Sequence, residues 1–156
     1  MREREHDFAV PAQLGEGLIS VPKGALMHLS VRLESVHEGI LATAEVQTTA
    51  HGECGRCLEP FDQSLQLEFQ ELFPYSVQEG DEYGVHGDHV DLEPPLRDAV
   101  VLSLPFQPVC RPDCLGIDPV TGEKRQQGDV EVASDEIDSR WDALSKFMTT
   151  TDSDDE

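Results

Sequence analysis

The sequence predicts a β-rich α+β fold: a single domain built on an antiparallel β-meander, with a central helix, a zinc-knuckle-like four-cysteine site and a C-terminal helix. Three observations predict it. Three runs alternate apolar with polar residues, the period-2 pattern of half-buried strands. One later run carries apolar residues at helical spacing behind a Glu-Pro-Pro. Four cysteines fall in two close pairs, Cys54 with Cys57 and Cys110 with Cys114.

Residues 1 to 24 are mixed, with Phe8 and Val10 on a short strand and Leu14, Leu18 and Ile19 in a turn or one helical turn before Pro22. From Leu26, Leu29, Val31 and Leu33 alternate with Ser30, Arg32 and Glu34, the first clear strand. His37-Glu38-Gly39 is a turn. Ile40, Ala42, Ala44, Val46 and Thr48 then form the second strand, and the pair reads as a hairpin. Past the first cysteine pair and Pro60, Leu65, Leu67 and Phe69 alternate with Gln66, Glu68 and Gln70, so a third strand returns antiparallel to the second.

Residues 76 to 91 are glycine-containing and acidic, with no Lys or Arg, and read as a mobile loop ending in a short strand at His89 to Leu92. Glu93-Pro94-Pro95 can open a helix, since proline is tolerated in a first helical turn. Leu92, Leu96, Val100 and Leu104 keep helical spacing until Pro105 stops the run. Ile137, Trp141, Leu144 and Met148 mark a second amphipathic helix, capped by Ser134 or Asp138. Trp141 there is either a core anchor or a binding aromatic. One domain over residues 1–147 and a disordered acidic tail over 148–156 follow from the length and these patterns.

The two cysteine pairs point to metal. Cysteines two or three residues apart place both sulfurs on one side of a tight turn, and two such turns facing each other make a tetrahedral thiolate cage suited to one structural zinc. Between Cys57 and Cys110 lie 52 residues, so only the fold can bring the pairs together. Leu58 stands where a knuckle often places glycine for a positive φ. Plain buried thiols remain open, as does thiol redox chemistry at Cys54 and Cys57, whose C-x-x-C spacing lowers a thiol's pKa. The βαβ context of a redox motif is missing.

Arg56 and Arg111 each sit inside a cysteine turn. They either compensate the net −2 of four thiolates on Zn²⁺ or form a small basic contact spot for a phosphate or carboxylate of a partner. The rest of the chain is acidic: 11 Lys plus Arg against 32 Asp plus Glu, a net charge of −21. Such a field repels a phosphate backbone and disfavours a general nucleic-acid binder. It is either a solvated acidic surface or a docking face for a basic partner.

His51, three residues before Cys54, could replace a sulfur, and His86 and His89 are spaced like a ligand pair, but surface histidines are the simpler reading of all three. No Ser-His-carboxylate set, phosphate-cradling glycine loop or H-E-x-x-H helix is present, so no enzyme is indicated. The first residues alternate in charge, and no apolar run approaches the ~18 residues that span a bilayer. A cytoplasmic protein with reduced cysteines is expected, with no membrane and no small-molecule substrate.

Taken together, Glu53-Cys54-Gly55-Arg56-Cys57-Leu58-Glu59-Pro60, the run from Val90 to Pro105, the pair Cys110 and Cys114, and Ile137-Asp138-Ser139-Arg140-Trp141-Asp142-Ala143-Leu144 resemble the bacterial YceD family in order, from about residue 8 to residue 147. The resemblance implies a role in accumulation of 23S ribosomal RNA and so in large-subunit biogenesis, with plant plastid relatives doing similar work. It maps Cys54 and Cys57 onto the family's C-x-R-C pair, Arg56 onto its arginine, and Cys110 and Cys114 onto the later cysteines. Many relatives continue with a C-P-x-C-G-like segment where this chain has Gly116-Ile117-Asp118-Pro119-Val120-Thr121-Gly122, leaving one four-cysteine site. The expected activity is that of a non-enzymatic ribosome-assembly factor. Its partner would be an assembly intermediate, through a basic ribosomal protein and with 23S rRNA precursor as a second candidate. An acidic adaptor unrelated to ribosomes is the rival.

Overall fold

The computed structural model describes residues 1–76 and 83–126. Met1–Arg125 form one compact unit and Gln126–Glu156 a second; the architecture below is that of the first. The C-terminal helix expected over Ile137 to Met148, with the acidic tail 148–156, lies outside the described residues.

Strands β1 (Arg2–Ala9), β2 (Ile19–Ser20), β3 (Leu26–Ser35), β4 (Gly39–Glu53) and β5 (Pro60–Pro74) form one antiparallel sheet. β6 (Val85–His86) pairs with β7 (His89–Val90), and α1 spans Glu93–Ser103. The meander β3–β4–β5 is the one the alternation predicts. Its register places Leu29 beside Val46 and Val46 beside Leu67, so the period-2 positions of all three strands share one face. Met27, Ala42, Ala44 and Val46 on that face are fully buried. Thr48, also buried there, keeps its hydroxyl satisfied by donating to the Leu26 carbonyl at 2.9 Å. The helix opens at its prolines and lays Leu96 and Val100 onto this core.

Three expectations need correction. The N-terminal strand is longer than Phe8 and Val10 suggested, because the charged run from Arg2 to Asp7 pairs with Leu33 to His28 as an exposed edge; charge on an edge strand costs little where both faces meet water. Leu14, Leu18 and Ile19 do not form a helical turn. Leu14 bridges Val21 and β2 pairs with Gly52 and His51 of β4, an approach that requires glycine at position 52, where a Cβ would lie 2.6 Å from the Leu18 carbonyl. Within the acidic stretch 76–91, whose residues 77–82 are not described, Val85–Val90 is a tight hairpin. Gly87 at φ 65° supplies the positive dihedral its two-residue turn demands.

Candidate metal centre

The fold carries the four cysteines to one end of the β4–β5 hairpin, because the hairpin's turn is itself the first cysteine turn. Cys54 follows directly on Glu53, whose cross-strand partner is Pro60. The turn is closed by the Leu58 N–H donating to the Cys54 carbonyl at 2.9 Å and the Cys54 N–H donating to the Glu59 carbonyl at 2.9 Å. Leu58 adopts φ 58°, the one non-glycine residue with positive φ among the described residues. The missing glycine is thus no bar to the knuckle, although a β-carbon in this region costs ~1 kcal/mol or more.

The second turn arrives from α1 through Pro105 and the buried Pro108. Its Cys114 N–H donates to the Arg111 carbonyl at 3.1 Å, with Pro112 in the position where a fixed φ favours a β-turn. The two turns are sewn together by the Gly55 N–H donating to the Pro108 carbonyl at 2.8 Å. Gly116, at φ 80°, lies so close to the first turn that a Cβ would stand 3.1 Å from the Arg56 carbonyl.

All four Sγ atoms lie within 4.8 Å of one another. Cys54 Sγ is 3.8 Å from Cys114 Sγ, and Cys57 Sγ is 3.8 Å from Cys110 Sγ. None is in a disulfide. Four thiolates around an ion at a metal–sulfur length of ~2.3 Å stand at corners ~3.8 Å apart, so the spacing fits the donor set of a closed tetrahedral site. Cys54, Cys57 and Cys114 are buried with almost no apolar company beyond Phe61 and Val109.

Crowding splits the acidities of Cys54, Cys57 and Cys110. Burial raises the Cys54 thiol, but the N–H groups of Cys110, Cys57 and Arg56 and the Cys57 thiol outweigh it and bring it down to about 6. The Arg56 N–H stands 3.4 Å from that sulfur. Cys57 is raised: the N–H of Glu59 pulls downward, and burial with the Cys54 and Cys114 sulfurs prevails. Burial and the three other sulfurs push Cys110 up to about 12. Cys54 ionises readily while Cys57 and Cys110 resist, as expected of donors arranged for a shared cation.

Arg56 and Arg111, paired by the sequence, have different surroundings. The Arg56 guanidinium reaches across to the second turn and donates to the carbonyls of Cys114 at 3.0 Å and Pro112 at 3.3 Å. Arg111 is exposed, 3.4 Å from the Asp113 carboxylate. Lys124 escaped the sequence reading. A bridge between Ile117 and Lys124 folds the chain back, and the ammonium pairs with Glu59, which raises its pKa, with Cys57 and Cys110 adding to the effect. Only the acid within the first motif hinted at it. His51 is not among the ligands, since it pairs with Asp62 at 2.6 Å on the strands.

An open groove of about 800 Å³ runs beside the cage, bordered by Leu18, Arg56, Val101, Leu104, Phe106 and Pro108. Phe106 is 94% exposed. Among the described residues, no helix is long and apolar enough to cross a membrane.

Among the described residues, sheet and site define an antiparallel β protein with one helix and a four-thiol candidate metal centre built on a hairpin turn. The chain belongs to the YceD family: residues 42–148, which hold both cysteine pairs, match the family described as large ribosomal RNA subunit accumulation protein YceD. An uncharacterized protein of Mycobacterium tuberculosis (strain ATCC 25618 / H37Rv) is 42% identical over 151 residues, 88% of this chain and 70% of the relative. One from Mycobacterium bovis matches to the same extent. A Mycobacterium leprae relative is 38% identical over 113 residues, 68% of this chain and 52% of its own length. No solved structure matches the chain.

Proposed function

We propose that this protein is a non-enzymatic factor in assembly of the large ribosomal subunit, supporting accumulation of 23S rRNA. The observation that carries this reading is the family match over most of the chain. Cys54, Cys57, Cys110 and Cys114 would hold one structural zinc, whose contribution is to neutralise the crowded thiolates and cross-link the two turns. The chain's own residues hold the same surface from outside the cage, through the Arg56 hydrogen bonds and the Lys124–Glu59 pair.

The net charge of −21 favours a basic ribosomal protein as the direct contact over bare RNA. The Arg56 geometry supports a mainly structural role for that residue, with Arg111 the more available for a partner. Thiol redox chemistry is less well supported, because Cys54 is 0% exposed and offers its sulfur to no incoming disulfide. An adaptor unrelated to ribosomes has the family match against it. A cytoplasmic location accords with the role.

The test is affinity purification from cells, followed by sequencing of bound RNA and identification of bound proteins, with elemental analysis of the purified chain. Large-subunit precursors and about one zinc per chain are expected. Recovery of neither ribosomal RNA nor ribosomal proteins overturns the assembly role; metal-free protein with an unchanged fold overturns the zinc site.

A further inference from the structure

The geometry points to the outer edge of β5, unpaired among the described residues, as a strand-addition site for an extended segment in which apolar residues alternate with Lys or Arg. This rests on the assembly role proposed above and names the surface that would meet its basic partner.

The two edges of the sheet are defended unequally. β1 carries Arg2, Glu3, Arg4, Glu5, His6 and Asp7 in succession, and charges of both signs along an edge discourage pairing with another chain. β5 is 15 residues long and paired to β4 in an unbroken register with no bulge. Among the described residues no strand pairs with its other edge. Between Pro60 and Pro74 it contains no Lys, Arg or Pro, and its only charges are those of Asp62, Glu68 and Glu71, which guard the edge against acidic strands and leave it open to basic ones. The backbone groups turned away from β4 are a template for one more strand.

The side chains say what kind of strand fits. On the core face, Leu67 and Phe69 pack against the core yet stay only partly buried, so apolar residues at alternate positions of a neighbour would complete their burial. On the opposite face, Glu68 stands directly across from Glu45 of β4, and among the described residues neither has an ion-pair partner. Like charges abreast on a sheet are unfavourable, and Lys or Arg from an added strand would relieve them. A second copy of this chain is a poor occupant: β5 carries Asp62, Glu68 and Glu71 with no cation, so self-pairing sets acid against acid.

The full chain as purified is titrated with three synthetic peptides of about ten residues: alternating Val and Lys; the same peptide N-methylated at alternate residues; and alternating Val and Glu. Anisotropy reads affinity and amide hydrogen exchange reads location. The Val/Lys peptide is expected to bind more weakly as salt rises and to slow alternate amides of β5. The N-methylated and acidic peptides should bind at least about tenfold more weakly, since one loses the ladder and the other the charge match. Glu68→Lys, an exposed change, should weaken the Val/Lys peptide several-fold. Equal binding of the N-methylated peptide overturns the proposal, as does protection confined to the groove beside Phe106, or concentration-dependent protection of β5 in the chain alone. Ribosomal precursors that copurify with Glu68→Lys at the wild-type level would remove the β5 site and leave the assembly role standing.

Discussion

The β4–β5 hairpin ends in two different ways. At its open end Gly39 faces Pro74, and Phe73, 1% exposed, is sealed under Tyr83 with ring centroids 5.9 Å apart. At its turn, 15 residues along β4, the buried groups are cysteines with little apolar surface around them. Apolar burial of a few side chains suffices to hold one end. The other end buries polarizable sulfurs crowded against one another, and under the proposed zinc role relies on the ion they would hold. On metal loss the sheet is therefore expected to keep its stability, and the cage to lose most of its own while the Gly55–Pro108 hydrogen bond still holds the two turns together.

The largest expected effect follows from opening the cage. Cys57→Ser and Cys110→Ser should each abolish metal binding and lower the melting temperature by a similar amount, on the order of 10 °C. Calorimetry with metal analysis checks this, and a silent substitution would show that residue not to be a ligand. Phe73→Ala should cost about 3–5 kcal/mol by the cavity it leaves while metal content stays at the wild-type value; coupled loss of metal would show the two ends to be one unit. Arg56→Ala removes two carbonyl contacts and should cost about 1–2 kcal/mol, with faster metal release to a chelator and no change near Phe73. The smallest effect concerns pH in the metal-free chain. Cys54, depressed to about 6, adds stability above the ordinary thiol value of 9.0 that is lost as pH falls through about 6. Cys110, raised to about 12, adds stability below 9.0 that is lost as pH climbs toward 12. Metal-free protein should therefore be most stable near pH 9, with a first thiolate absorbance step near 6. Cys54→Ser should remove that step.

The meander was legible because each strand buries one face, which writes a period of two into Leu29 to Leu33, Ala42 to Val46 and Leu65 to Phe69. The helix was legible for the analogous reason at Leu92, Leu96 and Val100. β1 was legible only at its inner end, since an edge strand exposed on both faces leaves no apolar period. β2 was too short for any period. Cysteine spacing disclosed the four thiols, and the sheet supplied the proximity that spacing alone could not. The Lys124–Glu59 pair and the reach of Arg56 to Cys114 and Pro112 join residues 56 to 65 positions apart, and no local pattern encodes such a meeting. The positive φ of Leu58 was hidden because side-chain identity argued against it.

The hairpin turn also sets an order of events in refolding. Cys54 and Cys57 are presented by a local turn, whereas Cys110 and Cys114 arrive only after 52 intervening residues, α1 among them, have folded; long-range closure is the slower step. During that interval a metal ion can be held by two sulfurs of one chain and two of another. Concentrated refolding with metal present should then yield metal-bridged dimers that a chelator dissolves, and adding metal after the sheet has formed should yield monomers.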